Sequence, residues 1–181
     1  MSDERHDFEG DERLLTFAVG TTIYALPIAA VHEVAETKRV ACVPGLPVEQ
    51  GGVMNWSGEA LPILANQLLL HPDSPDEPEA DGMQGAGNEA PTGDEASQAA
   101  APCIAGEHVL VVAERADAPA RLGLPVDRVV GLVSGGPLVP RTQGLVQERR
   151  PIDGRVVHVL DPKELVARAE RIVARVEGVA A

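Results

Sequence analysis

The sequence contains an internal repeat, and this repeat constrains the fold more than any other feature. Each copy comes after two short apolar stretches of sequence. Each copy is followed by another two such stretches, which are bounded by glycine. The matching positions are Leu26-Pro27-Ile28, Val31 and Val34 in the first copy and Leu124-Pro125-Val126, Val129 and Leu132 in the second. Short strands separated by Gly and Pro turns are typical of small β-barrels rather than of alternating strands and helices. We therefore predict two similar β-units, one in each half of the chain.

Alternating apolar residues predict several strands in each half. The strands are expected over residues 13–19, 22–26, 39–43, 52–56 and 60–64, and over residues 108–113, 120–124, 130–133, 144–149 and 155–160. Pro27 and Pro125 suit the first turn of a helix, so a short helical turn is expected after each, with Ile28, Val31 and Val34 facing inward. A further helical turn is expected over residues 65–70.

The chain ends in a predicted amphipathic helix that begins after Asp161. Asp161 suits the N-cap, Pro162 suits the first helical position, and Glu164 lies where it can complete a capping box. We expect Ile172 and Val173 to be buried against a barrel. The full apolar face comprises Leu165, Ala169, Ile172, Val173 and Val176.

The negative charge is concentrated in two segments that lack core-forming residues. The net charge is −13, from 15 basic and 28 acidic residues. Residues 1–13 hold six acids and two arginines, and residues 71–105 hold eight acids and no Lys or Arg, which leaves 14 acids and 13 bases elsewhere. We expect residues 1–13 to be a disordered tail and residues 71–105 to be a disordered Pro-, Gly- and Ala-rich insertion. The insertion would divide one domain into residues 14–70 and 106–181.

Composition and motifs argue against several classes of function. Aromatic residues make up 2% of the chain, too few for base stacking, and a phosphate backbone would repel its negative charge, so no nucleic acid is expected as a partner. The five histidines show no metal-ligand spacing, and no nucleophile or nucleotide-binding motif is evident. We therefore expect no metal, no cofactor, no catalytic residue and no enzyme activity. The absence of a signal-peptide pattern predicts a cytoplasmic protein without direct membrane insertion.

The two cysteines, Cys42 and Cys103, lie far apart in the sequence and form no CxxC motif. We interpret them as unrelated thiols, with Cys42 buried.

Several stretches, in order and with matching spacing, resemble the signatures of the CheW-like chemotaxis coupling proteins. They are YALPIAAVHEV at residues 24–34, VPGLP at 43–47, GVMNWSGEALPI at 52–63 and LGLPVDRVVGL at 122–132. The resemblance covers residues 14–70 and 107–169. It implies a mainly β fold with two intertwined SH3-like five-stranded β-barrels and a C-terminal α-helix.

The resemblance also implies a role in signal transduction. Members of this family are non-catalytic adaptors that join a CheA-type histidine kinase of a two-component system to methyl-accepting chemoreceptors. The barrel ends would dock on the kinase regulatory domain, which has the same fold. A groove between the barrels would accept the cytoplasmic tip of the receptor, so the protein would be recruited from the cytoplasm to membrane-associated receptor arrays.

The candidate partner-binding residues are the positions that match the partner-facing motifs of the family. They are Val31, Glu33, Gly52, Val53, Asn55, Trp56, Ser57 and Gly58. Trp56 is either an exposed contact for a partner or a cover over the barrel core. Asn55 contacts either a partner or the turn backbone, and the two glycines also suit backbone requirements.

The chain departs from the family pattern within these motifs. The family reads Asn-Leu-Arg-Gly where this chain has Asn55-Trp56-Ser57-Gly58, so an arginine is missing. We interpret Glu33 as having lost a long cationic partner through this change. The alternative function is therefore a divergent CheW-like scaffold that binds a kinase or another CheW-fold partner but not standard receptors.

Overall fold

The computed structural model describes residues 13–43, 50–70, 104–136 and 144–179. Almost all of the predicted tail and insertion lies outside these ranges. The described elements, in chain order, are β1 (Arg13–Val19), β2 (Thr22–Pro27), β3 (Val31–Glu36), β4 (Val40–Ala41), β5 (Gln50–Trp56), β6 (Glu59–Leu64), α1 (Asn66–Leu70), β7 (His108–Val112), β8 (Leu122–Val126), β9 (Arg128–Ser134), β10 (Val146–Ile152), β11 (Arg155–Leu160) and α2 (Pro162–Val179). Two 3-10 turns, Ile28–Ala30 and Thr37–Arg39, flank β3.

The strands form two curled sheets, which confirms the predicted mainly β fold. The first barrel is a five-stranded sheet in the order β10-β11-β2-β1-β9. The second barrel is a six-stranded sheet in the order β3-β7-β8-β6-β5-β4, in which the two-residue β4 adds to the five strands expected.

The two barrels are intertwined because the chain leaves the first barrel after β2 and returns to it at β9. Two parallel contacts join distant parts of the chain, β2 with β11 and β6 with β8. At the second contact Ile63 lies opposite Gly123. A Cβ at Gly123 would overlap the side chains of Ile63 and Val109, so this close approach requires glycine.

Among the described residues three apolar clusters form, one inside each barrel and a larger one between them. Leu14 packs inside the first barrel, whereas its neighbour Leu15 packs between the barrels. Likewise Val109 packs inside the second barrel and Leu110 packs between the barrels. Successive side chains of a strand point to opposite faces, so strands buried on both faces read as continuous apolar runs. Ile104, which was expected to belong to the insertion, is buried in the cluster inside the second barrel.

The helical turns predicted after Pro27 and Pro125 are largely wrong. The first shrinks to the 3-10 turn, and Val31 already begins β3. The second does not form, since β8 runs through Pro125 and β9 begins two residues after β8 ends. Ile28 and Val34, which were expected to face inward, are 37% and 40% exposed. Ladder pairing of β3 with β7 and of β9 with β1 outweighs the weak local preference of these short segments for helix.

The N-terminus of α2 is capped largely as predicted. The Oδ1 atom of Asp161 accepts hydrogen bonds from the backbone N–H groups of Lys163 (2.8 Å) and Glu164 (3.4 Å). The capping box is not completed, because the Asp161 N–H donates to the carbonyl of Leu145. The carboxylate of Glu164 instead accepts from Arg171, one Nη2–Oε1 distance being 2.6 Å.

The apolar face of α2 packs against the cluster between the barrels. Leu165, Val166 and Ala169 are buried there. Ile172 and Val173 pack against the same cluster, as predicted, but they are half-buried rather than buried. The side chain of Val176 lies outside the described set.

The interpretation of Cys42 as a buried free thiol is also wrong. Cys42 follows β4 on the surface, is exposed and is disulfide-bonded. The sequence contains one other cysteine, Cys103, which lies outside the described residues.

Candidate partner-binding site

The candidate residues come from two regions of the second barrel. Val31 and Glu33 belong to β3 at one edge of the sheet, whereas the others belong to β5 near the opposite edge and to the turn after it. The curl of the sheet brings these two regions together, because the rings of His32 and Trp56 pack edge-to-face with centroids 6.4 Å apart. The two regions are therefore neighbours in space, although they are distant in the sheet order.

The β5–β6 hairpin ends in a two-residue turn. Trp56 pairs with Glu59 across the hairpin, and Ser57 and Gly58 between them have φ angles of 51° and 88°. Two successive positive φ angles are typical of the tight turns that match the twist of a hairpin, and glycine adopts them without steric cost. The Oδ1 atom of Asn55 accepts a hydrogen bond of 3.2 Å from the Gly58 N–H. Asn55 therefore holds the turn backbone, which was one of its two predicted roles.

Trp56 packs onto the cluster inside the second barrel and is half-buried. The alternative in which it covers the core is thus the one that the structure supports. Gly52 is buried, and Val31 packs against the cluster between the barrels. The exposed part of the candidate surface consists of Asn55, Ser57 and Gly58.

Glu33 has a cationic partner, so the interpretation that it lost one is wrong. Its Oε1 atom accepts a hydrogen bond from Nη1 of Arg39 in the second 3-10 turn. This turn is anchored to the segment before β7, because the Thr37 hydroxyl donates to the Gly106 carbonyl at 2.8 Å and the Thr37 N–H donates to Glu107 at 3.2 Å. The turn folds back along β3, so the guanidinium of Arg39 lies beside the carboxylate of Glu33 although the two residues are six positions apart in the sequence.

A second ion pair lies on the same turn. Glu36 at the end of β3 pairs with Lys38, and both side chains are exposed. The hydrogen bond from Lys38 and the charge of its ammonium group lower the pKa of the Glu36 carboxyl. The turn therefore presents two acidic and two basic side chains that are paired with each other.

Two exposed apolar residues on the first barrel were missed as functional candidates. Val130 and Leu132 on β9 are each 50% exposed. The repeat matches Leu132 to Val34 on β3, which is 40% exposed on the second barrel. The repeat was the signal that could have found Leu132, but its first copy was interpreted as an inward-facing pattern; Val130 is not a matched position of the repeat.

A metal site and a membrane-spanning helix are not evident in the part of the chain that the structure describes. No group of three or more His, Cys, Asp or Glu residues is placed to hold a metal ion there. Among the described helices none is long and apolar enough to cross a membrane.

Two interleaved barrels filled by their own side chains define a β scaffold domain that presents strand faces and turns. The family model of the CheW-like domain matches residues 13–170, and the chain therefore belongs to the CheW-like domain family. This is a family of non-catalytic chemotaxis scaffolds, so the chain is not an enzyme.

A solved structure shares the fold. The crystal structure of the scaffolding protein TtCheW from Thermoanaerobacter tengcongensis matches with a TM-score of 0.52 and 16% sequence identity. The match covers 88% of this chain and 90% of that chain. No curated sequence matches this chain significantly.

Proposed function

We propose that this chain is an adaptor that couples a CheA-type histidine kinase to the cytoplasmic tips of methyl-accepting chemoreceptors. The observation that carries the proposal beyond family membership is the pair of related apolar positions on the two barrels. Val34 on β3 and Leu132 on β9 match in the repeat and are both exposed. Each barrel of this chain therefore offers a partner of the same fold an exposed apolar side chain at the matching position.

The face formed by Val130 and Leu132, which we call the β9 face, is the better developed of the two. Both side chains are half-exposed, and covering the remaining half of each would contribute about 1 kcal/mol per residue. Such a contribution suits a docking contact that forms reversibly and acts together with others. We propose that the β9 face docks on the kinase regulatory domain.

We propose that the receptor contacts the other surface, formed by Glu33 on β3 and by the turn after β5. Asn55, Ser57 and Gly58 are exposed at the end of this hairpin, and Glu33 is half-buried beside it. The turn is held by its own hydrogen bond and by the packing of Trp56. A surface that is ordered before binding loses less conformational entropy when a receptor helix docks.

The alternative is a divergent scaffold that binds the kinase or another CheW-fold partner but not standard receptors. Two features favour it. Ser57 supplies no charge where the family has arginine, and Glu33 is already paired with Arg39. A receptor group that binds the carboxylate of Glu33 or the guanidinium of Arg39 would have to compete with the ion pair between these two residues.

The experiment that tests the proposal measures both partners with the same protein. The full chain is titrated with a purified CheA regulatory domain and is separately co-sedimented with receptor arrays. Val130→Asp combined with Leu132→Asp is expected to weaken kinase binding at least tenfold and to leave co-sedimentation of the receptor unchanged. Leu68→Asp on α1, an exposed leucine outside the β9 face, is the matched control and should change neither.

The outcomes separate the two functions. If the unaltered chain binds neither the kinase domain nor the arrays, the adaptor proposal is overturned. Kinase binding without co-sedimentation selects the divergent scaffold. A fluorescent fusion that gathers at receptor clusters would support recruitment from the cytoplasm, and a uniformly diffuse signal in the presence of both partners would contradict it.

A further inference from the structure

The first barrel carries a cleft of about 460 Å³ that adjoins the β9 face, because Ile23 and Arg155 of its lining also line a neighbouring pocket with Val130. It forms where the β1–β2 turn meets the first residues of β9 and β11, and we call it the β1–β2 cleft. Its polar lining includes the hydroxyl groups of Thr21 and Thr22 and the side chains of Arg128, Arg155 and His158. None of the residues that line it is acidic.

The two arginines of the cleft differ from four others in the described chain. Arg39, Arg115, Arg150 and Arg171 each pair with a carboxylate. Within the described residues, the exposed side chains of Arg128 and Arg155 form no ion pair.

Among the described residues, the acids that neighbour these arginines in the sequence form no ion pair with them. Asp127 accepts a hydrogen bond of 2.6 Å at Oδ2 from the Gly20 N–H, which holds its carboxylate against the β1–β2 turn. Asp153 lies in the β10–β11 turn and lines a neighbouring pocket with Arg155 rather than the cleft itself. The cleft therefore presents two guanidinium groups whose preferred partners are carboxylates or phosphates.

The rest of the lining fits a peptide better than a free ion. Val156 at the rim is 58% exposed, and Ile23 and Ala18 add further apolar surface. The ring of His158 packs edge-to-face against Tyr24 with centroids 5.6 Å apart, which fixes one wall. The arginines of the cleft suit the carboxylates of an acidic peptide, and the hydroxyl and apolar groups beside them suit its backbone and its other side chains.

We propose that the β1–β2 cleft binds a carboxylate-rich peptide and that its occupant is the chain's own acidic segment, residues 1–12. This segment contains six acids and one arginine, a net charge of −5. It joins β1 at Arg13, five residues before Ala18 in the lining of the cleft, a distance of about 17 Å along a strand. Twelve residues can span up to about 40 Å, so the segment can reach the cleft.

The other acidic segment, residues 71–103, is the competing occupant. It is longer and carries eight acids. It joins the described chain at Leu70, in the cluster between the barrels, and at Ile104, inside the second barrel, whereas residues 1–12 continue directly from β1, which lines the cleft. The proposal therefore assigns the cleft to residues 1–12, and it does not depend on the proposed adaptor function.

Amide chemical shifts of the full chain test the assignment. Neutralising the six acids of residues 1–12 to Asn or Gln is expected to shift the amide signals of Gly20–Thr22 and of residues 155–158. The matched control neutralises the eight acids of residues 71–103 and should leave those signals in place. If the tail variant causes no shift there, or if only the control variant does, the proposal is overturned.

A synthetic peptide of residues 1–12 provides a second measurement. Added to the full chain whose own tail has been neutralised, it should bind and shift the same amide signals. Arg128→Gln combined with Arg155→Gln should weaken this binding about tenfold, because each exposed charge pair contributes a factor of about two to five. Arg149→Gln combined with Arg175→Gln, two exposed arginines elsewhere, should leave it unchanged. Equal weakening by both pairs of substitutions would show attraction to the surface in general and would overturn the site.

Discussion

At the scale of single residues, the turn after β5 keeps its backbone geometry although its sequence departs from the family pattern. Ser57 keeps the positive φ that the two-residue turn requires, and Asn55 still bonds the turn backbone. Arg39, which the sequence analysis did not consider, supplies a guanidinium to Glu33 from a different element. The charge missing at position 57 is thus present nearby, but it comes from the 3-10 turn after β3.

Ser57→Arg is expected to raise affinity for a standard receptor tip without harming the fold. Ser57 is exposed, so the free energy of unfolding should change by no more than about 0.5 kcal/mol. The new guanidinium would add a charged donor to the proposed receptor surface, and kinase affinity should not change. Titration with each partner checks this, with Ser57→Gln as an uncharged control of similar length. A change in kinase binding without a change in receptor binding would mean that the surfaces are assigned wrongly.

The burial of Tyr24 predicts that the free energy of unfolding falls at alkaline pH. Its side chain is buried and stacks on Phe17, with ring centroids 6.0 Å apart. Burial raises the pKa of the phenol above 10.0, and a hydrogen bond with Thr22 opposes this rise. The folded state therefore holds the phenol proton more tightly than the unfolded state does. This contribution to the free energy of unfolding is complete below about pH 10 and is lost as the pH rises through the folded pKa.

The measurement is chemical denaturation between pH 8 and pH 11 for the parent chain and for Tyr24→Phe. Tyr24 is the single tyrosine of the chain, so the difference between the two proteins isolates its titration. The parent should lose at most about 1.4 kcal/mol per pH unit more than the variant above pH 10. Parallel curves for the two proteins would contradict the prediction.

At the scale of elements, the first half of α2 makes most of the contacts that hold the helix to the barrels. Its N-cap and its buried residues lie there, and Nη1 of Arg168 donates to the Leu69 carbonyl at the end of α1 at 2.8 Å. The next turn, with Ile172 and Val173, only borders the cluster between the barrels. Stability should therefore fall off along the helix.

Alanine substitutions along α2 test this gradient. Leu165→Ala is expected to lower the free energy of unfolding by about 2–5 kcal/mol, because Leu165 is fully buried. Ile172→Ala and Val173→Ala should each cost about 1 kcal/mol, since half of each side chain is already in water. Arg175→Ala on the exposed face is the control. If Ile172→Ala and Val173→Ala are both neutral, this part of the helix does not pack on the barrels in solution.

At the scale of the whole molecule, two barrels share a core although their strands come from both sides of residues 71–103. Strands β6 and β8, which lie before and after this segment in the sequence, meet directly at Ile63 and Gly123. Ile104 closes the cluster inside the second barrel. The packing of the described residues is thus continuous across the point where the acidic segment enters and leaves.

Replacing residues 73–98 with Gly-Ser-Gly-Ser should leave stability unchanged or raise it slightly. The deleted residues contain almost no large apolar side chain, and the variant keeps Ile104. Shortening the connection to about a third of its length reduces the entropy cost of closing the loop by about 1 kcal/mol. Chemical denaturation of both proteins gives the comparison. A drop of several kcal/mol would show that the deleted segment contributes to the folded structure.

The strands were predictable where the pattern is local. Residues 13–19 and 155–160 were predicted with the observed bounds, because alternation and turn residues mark both ends. The cap at Asp161 was predictable for the same reason. The segments after Pro27 and Pro125 were not, because three to five residues with weak preferences take the conformation that pairs with a neighbouring strand.

The sequence by itself determined the repeat, the mainly β class, the tight turns and the cap of the last helix. Each of these depends on residues within one turn or one strand, where sterics and hydrogen bonding act over a few positions. Only the tertiary structure decided which partner Glu33 has, that Ile28 and Val34 face solvent, and that the β1–β2 cleft gathers Arg128, Arg155 and His158. These outcomes depend on how two sheets curl and pack, which places residues far apart in the chain within a few ångströms of each other.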